Sequence, residues 1–243
     1  MQLVRIQKLL ANWGAASRRA IERLIDEKAI STDGIPVEGQ GTLVDADNPP
    51  EIRINGKLIT PPRDKVCRVY AFNKPMLVIT TLKDERGRRT IADYLPVGQR
   101  LYPVGRLDYD STGLLIITDH GELTNRLLHP SYKVEKEYLV KITGAELSTA
   151  EFAMFTSGLQ LDDGLTLPCQ LKKLAEPGTY SVTIREGRKR QVRRMFSCLG
   201  HKVLSLHRTR FGPLSIGNLK AGELRELSVE EKAALLKSAG LHE

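Results

Sequence analysis

Along the 243 residues, apolar positions recur with two different periods, three or four in some stretches and two in others, so helices and strands are interspersed. Ile6-Gln-Lys-Leu-Leu-Ala has helical spacing and is followed by Gly14, where a helix would end. Ser17 is placed as the N-cap of a second helix, in which Ala20, Ile21, Leu24 and Ile25 form one apolar stripe and Arg18, Arg19 and Arg23 stay outside. Ile30 to Val37 and Glu51-Ile-Arg-Ile read as strands, and Asn55-Gly56 turns the latter into Lys57-Leu-Ile as a hairpin. Thr60-Pro-Pro-Arg-Asp-Lys65 is polar and stiffened by two prolines, which predicts an extended linker between a small module at 1–62 and a larger domain at 66–243.

In the larger domain, Arg68 to Lys74 predicts a strand that Pro75 stops, with Leu77 to Thr81 continuing as another. Thr90 to Leu95 reads as a short helix and Leu114 to Ile117 as a buried strand, and a helix opening at Asp119 or Gly121 runs to Pro130. Lys136 to Thr143 alternates as a strand, and Leu167–Leu174 pairs with Tyr180–Arg185 about a Pro177-Gly178 turn. Ser148-Thr-Ala-Glu151 and Ser228-Val-Glu-Glu231 are capping boxes that each open a helix, and the basic stretch after Gly187 predicts a helix toward Gly200. Strand pairs with helices dispersed among them give an α+β class, built on a large mixed or antiparallel sheet.

Composition narrows the function more by exclusion than by assertion. Hydrophobic content of 41% and charged content of 27% are those of a soluble globular protein, and no run approaches a membrane span or a signal-peptide core. Cys67, Cys169 and Cys198 are odd in number and unpaired in spacing, which fits reduced thiols and a cytoplasmic location. Cys198 and His201 lack a second pair of ligands, so no metal site is expected. No Gly-rich phosphate loop, dinucleotide fingerprint or Gly-x-Ser-x-Gly elbow is present, which leaves nucleotide hydrolysis, hydride transfer and acyl hydrolysis without visible apparatus.

A formal net charge of +8 suggests a polyanionic partner. Between Ile184 and Arg210, nine cationic residues (Arg185, Arg188, Lys189, Arg190, Arg193, Arg194, Lys202, Arg208, Arg210) face Glu186 alone, an excess that predicts one phosphate-binding surface. Residues 1–65 carry ten Lys and Arg against nine Asp and Glu, so any electropositive face there must come from placement.

The most structured candidate for chemistry is Leu101 to Glu122, where Pro103, Gly105, Ser111 and Gly113 punctuate a loop that leads into the apolar Leu114–Ile117. Asp108 is thereby held between a tight turn and a core strand, where a carboxylate can be aimed. On position alone, a turn-forming aspartate that caps its own backbone is the simpler account.

Gly105-Arg106-Leu107-Asp108 with Ser111-Thr112-Gly113-Leu114-Leu115, then Glu137-Tyr138 with its flanks, then Gly187-Arg188-Lys189-Arg190-Gln191-Val192-Arg193-Arg194-Met195-Phe196, resemble in order the blocks of the bacterial ribosomal RNA pseudouridine synthases of the RsuA/RluB type. That resemblance implies Asp108 as the catalytic carboxylate, Tyr138 as the aromatic that stacks on the target base, and Arg193 as the ion-pair partner of Asp108. It implies Arg106 at the gap left by an extruded base, and Arg188, Lys189 and Arg190 on phosphates. Residues 1–62 resemble an S4 RNA-binding domain, with Arg5, Lys8, Ser17, Arg18 and Arg19 at its RNA-facing positions. The implied reaction is cofactor-free isomerisation of a uridine in ribosomal RNA by a monomer. The stretch Gly158-Leu-Gln-Leu-Asp-Asp-Gly resembles the large-subunit branch.

Two other readings compete. A non-catalytic ribosome-assembly factor would also join an S4 module to a basic platform, although binding alone requires no aimed carboxylate. A metal-dependent nuclease would use Asp108 and Asp110, but two acids two residues apart are common in loops.

Overall fold

The computed structural model describes residues 1–62 and 67–241, so Arg63, Asp64 and Lys65 of the expected linker lie outside the described residues. The chain divides into two compact units, Met1–Val66 and Cys67–Glu243.

The first unit contains β1 (Leu3–Arg5), α1 (Ile6–Asn12), α2 (Arg18–Asp26), β2 (Ile30–Thr32), β3 (Ile35–Pro36), β4 (Leu43–Asp45), β5 (Ile52–Ile54) and β6 (Lys57–Ile59). Strand β1 pairs with β4, and the other four form an antiparallel sheet in the order β3-β2-β5-β6. The stripe expected on α2 is the one buried: Ile21 and Ile25 pack with Ile6, Leu9, Leu10, Ile30 and Ile52. Ser17 Oγ accepts from the Ala20 N–H at 3.1 Å and so starts α2 as its cap. Asn55 and Gly56 have φ of 50° and 75°, the left-handed pair that a tight two-residue hairpin turn needs.

The second unit is a sheet clothed on both faces. In chain order it comprises β7 (Val69–Lys74), β8 (Tyr102–Pro103), β9 (Thr112–Thr118), α3 (Gly121–Leu128), β10 (Lys136–Ile142), α4 (Thr149–Ser157), β11 (Gln160–Leu161), β12 (Gly164–Leu165), β13 (Gln170–Lys173), β14 (Thr179–Ile184), α5 (Gln191–Cys198), β15 (Val203–Phe211), β16 (Leu214–Ser215), β17 (Leu224–Glu226) and α6 (Val229–Ser238). The sheet runs β13-β14-β10-β15-β9-β7-β17, with β16 on β15 and β8 on β9. Among the described residues the β9–β15 contact is the one parallel pairing of this sheet, so the sheet is mixed. Side chains alternate between two cores, as a pleated strand requires. Tyr70, Phe72, Leu115, Ile117 and Tyr138 join Phe155 of α4 and Met195 and Phe196 of α5 on one side. Val69, Ala71, Leu114 and Ile116 join Leu123 and Leu127 of α3 and Leu235 and Leu236 of α6 on the other. Both capping boxes form, Ser148 with Glu151 and Ser228 with Glu231.

Two expectations need correction. Leu77 to Thr81 is not a strand: Leu77 takes φ 64° and donates its N–H to Tyr109 O at 2.9 Å, so the segment braces the Asp108 loop instead of joining the sheet. Conversely Val203–Phe211, read from sequence as part of a charged surface, is the nine-residue strand β15 near the middle of the sheet.

Candidate active site

Asp108 sits in the loop between β8 and β9, and the backbone of Leu107 and Asp108 is held by two residues. Ser111 N–H donates to Asp108 O at 3.0 Å, closing a turn, while Thr80 Oγ1 donates to Leu107 O at 2.7 Å and accepts from Leu107 N–H at 3.3 Å. Gly113, at φ 106°, lets β9 lie against β15: a Cβ there would stand 2.4 Å from Arg208 O. The turn that the sequence suggested therefore exists, and it serves to fix where the Asp108 carboxylate points.

That carboxylate lines a cleft of about 1030 Å³ which also takes in Arg106, Ser111, Lys136, Tyr138, Lys189, Arg190 and Arg208. Tyr138 arrives from β10 and is largely buried, and the guanidinium carbon of Arg208 is 6.0 Å from its ring centroid. Asp108 and Tyr138, thirty residues apart, thus open on one space, with Arg106 exposed at the mouth. The space has the volume of a small-molecule or nucleotide site, and its charged lining is predominantly cationic.

A family model described as RNA pseudouridylate synthase matches residues 68–198, over half of the chain. The chain belongs to the RNA pseudouridylate synthase family. It is an enzyme of the RsuA/RluB type, 36% identical over 93% of its length to "Ribosomal large subunit pseudouridine synthase B" of Bacillus subtilis, of which 93% is covered. It is similar at 39% identity, over 87% of its length and 75% of the relative's, to the protein of that name in Escherichia coli O157:H7. A crystal structure of a pseudouridylate synthase superposes with a TM-score of 0.69 at 29% identity, covering 96% of this chain and 99% of the other.

In this synthase the basic block is wired differently from the expectation. The ion pair expected between Arg193 and Asp108 is not formed. Arg193 Nη2 donates to Asp110 O at 2.7 Å, Nη1 donates to Val203 O at 3.1 Å, and Nε lies 3.4 Å from Asp110 Oδ2. Burial lowers the Arg193 pKa below the ordinary arginine value, and the Asp110 charge offsets part of that. The cation that approaches Asp108 is Arg190, at 3.8 Å, while its two Nη groups grip Asp110 at 2.9 and 3.0 Å. Hydrogen bonds from Arg190 hold the Asp110 carboxyl below the usual carboxylate range, so this acid is committed to arginine and does not offer a metal the second carboxylate a nuclease would need.

Arg188, expected on phosphate, is a structural tie: it donates to Asp163 Oδ1 at 3.2 Å, Gly164 O at 2.8 Å and Glu186 Oε2 at 3.1 Å. Arg194 binds Asp162 and Asp163 in the β11–β12 turn, Arg185 binds Glu135, and Arg210 binds Glu135 and Glu137. The sequence-local excess is therefore largely neutralised by acids that the fold brings from elsewhere. Lys189 is the exposed cation of the Arg188–Arg190 trio that the described residues leave unpaired.

In the first unit, Arg5, Arg18 and Arg19 are exposed and Lys8 half-exposed around the start of the two helices, while Ser17 Oγ is occupied as the α2 cap. Sequence reasoning missed two buried cations, Lys74 and Lys136, and read a third, Arg208, as part of the phosphate-binding surface. Lys74 Nζ donates to Pro75 O at 2.9 Å and Val78 O at 2.8 Å, and burial pulls its pKa down to about 8 against the fields of Asp108 and Asp110. Lys136 and Arg208 line the cleft itself. Their signal was a charged residue at an inward position of a strand, visible once Lys136 is read in step with Tyr138.

Proposed function

We propose that this synthase isomerises a uridine of ribosomal RNA to pseudouridine, acting on large-subunit RNA. One observation carries the reading: a rigidly held carboxylate, Asp108, and a stackable ring, Tyr138, line the same cation-rich cleft. The names of the Bacillus and Escherichia relatives support the choice of substrate. A factor that only bound RNA would have no use for a carboxylate held this rigidly in the cleft.

The reaction breaks the bond from ribose C1′ to uracil N1, turns the base and joins C1′ to C5, whose proton leaves. Asp108 supplies the negative charge beside the sugar, and Tyr138 holds the base by stacking while the cleft excludes water that would trap the detached pieces. The target must first leave its stack, at a cost of a few kcal/mol, and Arg106 at the mouth is placed to occupy the gap. Arg193 acts as a positioning residue through Asp110, as does Arg190 through its grip on the same carboxylate, and Lys189 meets phosphates at the cleft edge. No cofactor is required by the atoms exchanged.

Residues 1–62 act as an S4-type RNA-binding domain through Arg5, Lys8, Arg18 and Arg19, with Ser17 shaping the helix start. Charge reversal at Arg18 and Arg19 should weaken RNA binding and leave the saturated rate intact. The enzyme works as a cytoplasmic monomer. Mapping pseudouridines in ribosomal RNA from cells with and without the gene tests the whole reading: loss of one large-subunit site supports it, and an unchanged map refutes it.

A further inference from the structure

Two cations lie deep in the cleft, and neither forms an ion pair among the described residues. Lys136 is 7% exposed and Arg208 3% exposed, and both pack against the Phe211 ring, at 5.4 and 5.1 Å from its centroid. Arg208 Nε donates to Leu114 O at 2.7 Å, but its Nη2 is buried with no hydrogen-bond partner among the described residues. The acid whose field reaches Lys136 is Glu186, and Glu186 already accepts from Arg188 Nε, Gln191 Nε2 and the Leu167 N–H. Buried charges are ordinarily paired, and two like charges side by side destabilise a fold. A negative group entering the cleft would offset that cost.

Lys136 and Tyr138 are two apart on β10 and so share a face, and Arg208 is the register partner of Tyr138 on β15. The cations therefore flank the ring assigned to the base. Phosphates of a flipped nucleotide remain tied to the strand and run along the mouth, where Arg106, Lys189 and Arg190 are exposed. The base is what reaches the depth of Lys136 and Arg208.

We propose that Lys136 and Arg208 contact the uracil carbonyl oxygens and stabilise the base as an anion after it leaves the sugar. When the N1–C1′ bond breaks, its electron pair stays with uracil and spreads over N1, O2 and O4. When C5 then bonds to C1′, the C5 proton departs and N1 takes one up, so the charge exists only between the two steps. Interactions made only with that transient charge raise the rate without tightening ground-state binding. The same donors favour carbonyl acceptors over the amino group of cytosine.

This inference rests on the isomerase reading above. The test uses the full-length enzyme and large-subunit RNA labelled with tritium at uridine C5. Lys136→Met should cut the single-turnover tritium release at saturating enzyme by about a hundredfold or more, with RNA affinity and its salt slope unchanged. Lys136→Arg should recover part of that rate. Because the replaced charge has no counter-ion, Lys136→Met should also raise the thermal midpoint, an outcome that a merely structural lysine would reverse. Arg208→Lys, which keeps the charge but not the unpartnered Nη2, should lower the same rate. A Lys136→Met enzyme with the wild-type rate, or one whose only defect is a shallower salt slope, overturns the proposal and in the second case makes Lys136 a phosphate contact. A wild-type enzyme that releases no tritium overturns the isomerase reading itself.

Discussion

Arg193 Nη2 donates to the backbone carbonyl of Asp110 at 2.7 Å, and Arg193 Nε lies 3.4 Å from the carboxylate of the same residue. The arginine thus holds the chain two residues beyond Asp108 and acts on that carboxylate through the backbone. Arg193→Met should remove two hydrogen bonds from a charged donor, costing about 2–4 kcal/mol of stability, and should lower the rate at saturating RNA by about a hundredfold as the loop relaxes. Arg193→Lys should recover part of each, since a point charge cannot span both carbonyls. Denaturant titration with single-turnover kinetics checks both, and a mutant that merely binds RNA less tightly would place Arg193 among the phosphate contacts.

Arg188 and Lys189 are adjacent in sequence but should fail in different ways. Lys189→Met should reduce the slope of log affinity against log salt by about one, with stability unchanged. Arg188→Met breaks ties to Asp163, Gly164 and Glu186 and should lower the unfolding midpoint. Salt titrations that show the same slope change for both would contradict the wiring described.

Gly113→Ala should be severe, because the new Cβ meets Arg208 backbone at 2.4 Å and the backbone stands at φ 106°. All three nearest atoms, Arg208 O, N and C, are backbone and cannot swing aside, so β9 and β15 must separate. We expect a loss above about 3 kcal/mol together with loss of activity, read by thermal melting and tritium release.

The pH dependence of stability has a definite sign. Lys74 and Lys136 each have a pKa lowered by burial to about 8 from 10.5, so both are charged in folded and unfolded chains below pH 8, and that burial is a cost. As pH rises past 8 the folded state sheds these protons before the unfolded chain does, and the cost is relieved. Stability should therefore climb between pH 8 and 9 by about 1 kcal/mol for each lysine, and Lys136→Met should remove its share. Above pH 9 the Cys169 thiol opposes the trend, since burial pushes its pKa to about 12 and only the unfolded chain ionises there. Urea midpoints at pH 7.5, 8, 8.5 and 9 measure the slope, and a flat or falling curve in that window would contradict the burial of these lysines.

Elements marked by local chemistry were legible in the sequence. The Ser148 and Ser228 capping boxes, the Asn55-Gly56 hairpin and the α2 stripe depend on residues within a turn or two, and all form. What could not be read was set by partners far along the chain. Arg188 looks free until β11 and β12 bring Asp163 to it from 25 residues away, and Arg210 meets Glu135 across 75 residues. Strand β15 was hidden because its charges, Arg208 and Arg210, suggested surface, whereas Arg208 is buried under Phe211 and Tyr138. Leu77–Thr81 has strand composition but follows Pro75 into a left-handed Leu77, whose N–H goes to Tyr109 of the Asp108 loop, while Ile79 exchanges its backbone bonds with Arg89 and Ile91.

Asp108→Asn tests the central claim most directly, since it keeps the side chain's shape and removes the charge placed beside the sugar. Tritium release from large-subunit RNA labelled at uridine C5 should be abolished in a single-turnover assay at saturating enzyme, while affinity for the same RNA stays within about threefold of wild type. Release at the wild-type rate by the purified Asp108→Asn enzyme would contradict the assignment of the carboxylate and of the cleft built around it.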